Sequence, residues 1–401
     1  GGGGFLIVTA REGLSVSGGG RINADTLRSD GGAIRIAARE VAVSEGQISS
    51  DVNKDGEGTG GGIGGDIELA VTGGVSVSAG GQISSDTFGD GPGGSVVVDA
   101  NSVTLSGGGV IGSDARGEGL GQGGDVTLAV NGELRIQDPG SEISSTTRGI
   151  GAGGSVRVTA DRIAVSSGGA ISVASTNTDS DVDAGFAGDL TISATDSLRM
   201  DNGKIDATSV RAGGGSISIE VANTILLVDS SISATAGGEE PRHNGGDLAI
   251  DPTFVILSNS FLSANAADGN GGDISIVAAN FLTDNRSDIN ASSQFGSPGF
   301  IEVEAPTNDI GTTVTILDVS FVDLAKLLGQ RCTPAALKER SSFVVEGRGG
   351  LPLSPEAVAA TPIEEIVSEV AGSGGGAAKV PTYAHVGPVD DTAHLHVFAC
   401  T

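Results

Sequence analysis

Two acidic runs carry the residue types and spacing that hold a hard cation. Asp51-x-Asn53-x-Asp55-Gly56 supplies the alternating oxygen donors of the first half of a calcium loop. The twelfth position, however, is Gly62, where an EF-hand needs a bidentate Glu. Asp179-x-Asp181-x-Asp183 repeats the same alternation. Calcium is the one cofactor these six residues imply, and solvated acidic turns are the competing explanation. Gly61-Gly62-Ile63-Gly64-Gly65-Asp66 has the composition of a calcium-binding nonapeptide, but it occurs once, without the tandem copies that build such a site. His394-x-His396 would set two imidazoles on one face of a strand, with His385 nearby. Only Cys400 adds a ligand at useful spacing, and an exposed tail accounts for these residues better than zinc does.

Acid–base chemistry on a polysaccharide would need paired carboxylates, or an Arg base beside a bound cation, and usually aromatic platforms for the sugar rings. Residues 1 to 310 contain no Trp, no Tyr and one histidine, His243. Asp66, Asp125, Asp189, Asp247 and Asp273 recur at one corner of a repeat, and recurrence at equivalent positions reads as architecture rather than a single catalytic constellation. No catalytic residue is assigned, and the reading is of a protein that is not an enzyme.

The elements that carry these residues follow from a repeat. Glycines 4, 32, 65, 94, 124, 154, 188, 215, 246, 272 and 299 each precede an alternating apolar pair, such as Ile34/Ile36, Val96/Val98 or Ile217/Ile219. From Gly4 to Gly299 is 295 residues in ten steps, a period of about 29.5. A second pair follows, as in Val41/Val43, Val75/Val77 and Leu134/Ile136, and then a single aliphatic, as in Ile22, Ile48, Ile83, Ile111 and Ile143. Period two is the signature of a strand. Three short strands per unit, closed by a variable Gly/Asp/Ser loop, predict an all-β chain: a right-handed parallel β-helix, or solenoid, of about eleven coils over 1–310. A small mixed cap is expected at 311–352 and a partly flexible tail at 353–401.

Composition agrees. The chain has 68 Gly in 401 residues, with no Trp and a formal charge of -28, from 50 acidic against 22 basic residues. Such a balance repels nucleic acid and anionic lipid, so neither is an expected partner. No stretch reaches the ~20 apolar residues of a membrane span. The chain opens inside the repeat pattern with no initiator Met, which leads to the expectation of a longer protein with its export signal upstream.

The repeat form G-G-x-I-x-I-x-A, then V-x-V, then I-S-S resembles the body of filamentous haemagglutinin-like exoproteins of two-partner secretion systems. A second segment, C-T-P-A-A-L-K-E-R-S-S-F-V-V-E-G-R-G-G-L-P from Cys332 to Pro352, is similar to the terminal block of large members of that family. The resemblance implies export through an outer-membrane partner barrel and an extracellular or outer-surface location on a Gram-negative-type bacterium. Cys332 and Cys400 are a candidate disulfide, and the family suggests a surface-anchoring loop; a structural staple or two free thiols are the alternatives. The expected function is that of an adhesin-like structural exoprotein meeting a host-cell, neighbouring-cell or abiotic surface. A carbohydrate-active β-helix enzyme (polysaccharide lyase or hydrolase) and a calcium-dependent extracellular matrix component are the alternatives.

Overall fold

A computed structural model of the chain describes residues 2–53, 61–178 and 184–305. The expected cap, Cys332, Cys400, the motif from Cys332 to Pro352 and the histidines near the carboxyl end lie outside the described residues. So do Asp55, Asp179, Asp181 and Asp183 of the calcium candidates.

The described residues form a parallel β-helix of ten complete turns and the opening strand of an eleventh, Ile301–Glu304. A representative turn runs Ile67–Val71, Gly74–Ser78, Gln82–Ser84. These segments form strands because apolar residues alternate with Ser, Thr, Glu and Arg, so one face of each can be buried while the other meets water. In some turns the first two strands fuse, as in Ile34–Ser44 and Val156–Ser166.

Every strand pairs in parallel with its counterpart one turn later. Ile34, Ile67, Val96, Val126 and Val156 stack in register in the first strand. Val43, Val77, Leu105 and Ile136 stack in the second. Ile22, Ile48, Ile83, Ile111, Ile143, Ile171, Ile205, Ile232, Leu262 and Ile289 stack in the third. From Ile34 to Ile276 these side chains are buried and fuse into one continuous core. Each buried Val, Leu or Ile contributes roughly 1.5 to 3 kcal/mol.

Beyond the third strand a fourth column appears that the apolar pattern did not announce. Val52, Thr87, Ala115, Thr147, Ser175, Ser209, Ala236, Ala266 and Ser293 bridge in single parallel steps. Its members are small or polar and carry no period-two signal.

The glycines that mark the repeat sit where each turn closes. The Gly32 N–H donates to the Ala24 carbonyl at 3.0 Å, Gly65 to Ser50 at 2.9 Å, Gly94 to Ser85 at 3.0 Å and Gly299 to Ala291 at 2.8 Å. Each bond ties the start of a first strand to the end of the preceding third strand and sets the variable loop outside the coil. The glycines also stack on one another: a Cβ on Gly65 would stand 2.0 Å from the Gly32 carbonyl oxygen and 2.1 Å from Ser50 Oγ. In the amino-terminal half a buried serine completes the corner, with Ser85 Oγ donating to the Gly65 carbonyl at 2.5 Å and Ser113 Oγ to that of Gly94 at 2.6 Å.

Gly65→Ala is therefore expected to destabilise the solenoid by about 3 kcal/mol, because backbone on the adjacent turn must move. Gly13→Ala, where a Cβ meets nothing closer than 3.6 Å, should stay within about 0.5 kcal/mol of the parent. Urea unfolding midpoints of the two variants measure the contrast, and equal midpoints would remove the packing argument.

Candidate functional site: a charged groove over the third strand

Residues flanking the buried isoleucine of the third strand point outward, and those of the fourth column turn the chain back beside them. Between the two runs a groove. Across three successive turns it presents a grid of side chains: Gln82, Asp86 and Phe88; then Val110, Asp114 and Arg116; then Glu142, Thr146 and Arg148. Seven of these nine, all but Asp86 and Val110, join or carry the polar and aromatic lining, and the hollow there measures about 520 Å³. A second hollow of about 300 Å³ shares Gln82 and extends towards Gln47 and Arg21, so the groove continues along the sheet face.

Carboxylates form one of its walls. Asp25, Asp51, Asp86 and Asp114 each stand three residues after the third-strand isoleucine. Each accepts the backbone N–H of the equivalent residue on the next turn: Asp51 N–H to Asp25 at 2.9 Å, Asp86 N–H to Asp51 at 2.8 Å, Asp114 N–H to Asp86 at 2.8 Å and Thr146 N–H to Asp114 at 2.7 Å. Ser84 Oγ donates to Asp51 and Ser144 Oγ to Asp114, both at 3.1 Å. Asp51, Asp86 and Asp114 are buried. Arg116 offsets part of their charge, its Nε lying 2.6 Å from Asp86 and its Nη2 3.4 Å from Asp114.

The electrostatic outcome is unusual for carboxylic acids. Burial pushes Glu142 up to about 7, and the negative charges of Asp114 and Asp206 add to it against Lys204 and Arg116. Burial likewise raises Asp51 to about 6, outweighing the hydrogen bond it accepts from Asp86. Asp86 also lies well above the ordinary carboxylate range, because burial and the charge of Asp114 exceed what Arg116 returns.

The sequence-derived candidates fall differently. Asp51 is a member of the carboxylate wall, and Asn53 lies in the short strand Val52–Asn53 paired with Thr26–Leu27. Among the described residues no group of three or more His, Cys, Asp or Glu is arranged to hold a metal. The recurring corner aspartates play an architectural part: Asp189 accepts the Ser216 N–H at 3.0 Å, Asp247 that of Asp273 at 2.9 Å and Asp273 that of Phe300 at 2.7 Å. His243 is buried away from the groove, edge-on to Phe186 with ring centroids 5.6 Å apart. Sequence reasoning missed Phe88, Arg116, Glu142 and Arg148. The available signal was the aspartate three residues after the isoleucine in four consecutive turns.

Searches against protein-family models, curated proteins and solved structures return no match for this chain. Among the described residues no helix is long and apolar enough to cross a membrane.

Two consequences are measurable. Glu142 binds its proton more tightly in the folded protein than in the unfolded chain, so its contribution to stability is complete below about pH 4 and is lost as pH rises through about 7. Glu142→Gln, which mimics the protonated form, should be more stable than the parent by on the order of 1 kcal/mol at pH 8 and equal to it near pH 4. A difference that does not change with pH would contradict this. Arg116→Gln should cost about 2 to 3 kcal/mol at pH 8, because Asp86 and Asp114 lose their cation, and less at pH 5, where protonation relieves them. Thermal unfolding at the two pH values reads both effects.

Proposed function

We propose that this chain is a non-enzymatic, adhesin-like structural exoprotein, displayed at or released from the outer surface of a Gram-negative-type bacterium. In this reading it is exported by a two-partner secretion route and attaches to cell or abiotic surfaces. The observation that carries the reading is the unbroken register of ten turns. One dry aliphatic core with parallel pairing at every step makes a stiff scaffold, roughly 50 Å long at the strand spacing. Such a scaffold gains length and surface without needing a catalytic centre.

Two further features support it. The charge of -28 keeps an exported rod dispersed and discourages adventitious binding to nucleic acid. The segment from Cys332 to Pro352, with its resemblance to the terminal block of haemagglutinin-like exoproteins, fits the same export route. Under this proposal the variable loops and the groove form the recognition surface, and the outer-membrane transporter is the export partner.

Beads coated with the full chain are expected to attach to bacterial or host cells, or to abiotic surfaces, several-fold more than beads carrying an unrelated acidic protein of equal charge. Attachment no better than that control on every surface tried would remove the adhesive function. Repeating the assay with a chelator separates a calcium-dependent mode from a calcium-independent one.

A further inference from the structure

The groove contains groups that the scaffold does not use. Arg116 is engaged by Asp86 and Asp114, whereas the exposed guanidinium of Arg148, one turn on in the same column, makes no ion pair or hydrogen bond among the described residues. The side chains of Gln82 and Glu142 also make no hydrogen bond there, and the half-buried ring of Phe88 lines the same hollow. An unspent cation, free hydrogen-bonding groups and an aromatic face thus converge on about 520 Å³ of open space, within the range of ligand sites.

We propose that the hollow over Phe88, Gln82, Glu142 and Arg148 binds a uronate-containing glycan, with the Arg148 guanidinium taking a sugar carboxylate and the Phe88 ring the apolar face of another sugar in the chain. A guanidinium presents a planar fork that matches a carboxylate in two parallel hydrogen bonds. A single free cation flanked by Asp114 and Glu142 offsets one negative charge, which suits a uronate and opposes a phosphate dianion. Sugar hydroxyls would meet the Gln82 amide and the Glu142 carboxyl. A peptide is the poorer fit: the floor is a sheet face whose N–H and C=O groups are already paired from turn to turn, so an added strand finds no edge.

The groove also dictates how such a chain lies. Phe88 and Arg148 stand two turns apart, about 10 Å at the strand spacing, so they contact different sugars of a chain running along the solenoid axis. Arg21, another guanidinium with no partner among the described residues, lines the second hollow at the far side of Gln82. It lies four turns from Arg148, about 19 Å, and would engage a later uronate of the same chain. Affinity should therefore grow with chain length.

This site deepens the adhesive reading by naming its ligand, and rests on that reading only for the setting in which the two meet. The test uses the full chain in calorimetric titrations with galacturonate oligomers of two and six sugars, and with a neutral glucan oligomer of six, all with chelator present to exclude metal bridging. The galacturonate hexamer is expected to bind, with the dimer and the neutral hexamer each weaker by about ten-fold. Arg148→Ala and Phe88→Ala should each lose about ten-fold, with Arg148→Lys between Arg148→Ala and the parent. Both replaced side chains reach the surface without a partner to orphan, so the variants should fold; circular dichroism checks that they do. Protonation of Glu142 removes a charge facing the sugar carboxylate, so binding should tighten about three-fold from pH 8 to pH 6, and Glu142→Gln should abolish that gain. The proposal is overturned by absence of hexamer binding at millimolar concentration, by parental affinity in Arg148→Ala, or by equal affinity for the neutral chain. Bead attachment that persists without hexamer binding removes the glycan site and leaves the adhesive function; hexamer binding without attachment does the reverse.

Discussion

Successive turns can approach to the strand spacing only because the corner where each turn closes carries no side chain. At Gly65, Gly94, Gly124 and Gly154 the next turn's backbone occupies the volume a Cβ would need, and the same glycine N–H ties the coil shut. Close approach and closure are thus one constraint. If the corner opened, the first and third strands would leave register together, and the aliphatic ladders would lose the alignment that keeps water out of them. The buried serines of the early turns tighten the corner, and the alanines that replace them later, Ala207, Ala234 and Ala264, fill the same position without a hydroxyl to satisfy.

The groove is a by-product of that register. Stacking puts Asp25, Asp51, Asp86 and Asp114 one above another, which would be prohibitive for four bare carboxylates. Each is made tolerable by the backbone N–H of the following turn, and Arg116 supplies a cation where burial is deepest. Compensation is incomplete, because one guanidinium faces several acids. The deficit surfaces at Glu142, a carboxyl held close to neutrality in an otherwise acidic protein. A structural arrangement of this kind creates a titrating group near physiological pH without any requirement that it act as a catalyst.

The strands were legible in the sequence because their signal is local. Ile67/Leu69, Val75/Val77 and Ile83 announce three buried columns within one turn, and the same spacing recurs in the next. The ladder glycines were legible for the same reason, although their steric role emerges only when Gly32 and Gly65 are brought into contact. The groove was not legible, since its neighbours are separated by a whole turn: Arg116 reaches back 30 residues to Asp86, and Glu142 feels Asp114 from 28 residues away. Asp51 is the instructive residue. Read along the chain it opens an acidic run with calcium-like alternation, whereas across turns it bonds to the N–H of Asp86, and only the second relation is formed by described residues.

The closing bond between the glycine and the end of the third strand has a consequence for how such a protein can diverge. It spans from Ala24 to Gly32 in one turn and from Ser50 to Gly65 in the next, yet the coils stack without a change of register. Whatever lies between the two tied residues is mechanically insulated from the core, and lengthening it costs little, since loop entropy grows only with the logarithm of length. Insertions, deletions and drift in composition can accumulate there while the ladder positions stay fixed. A lineage of such chains would therefore conserve its interior and vary its outline, changing what it touches one turn at a time.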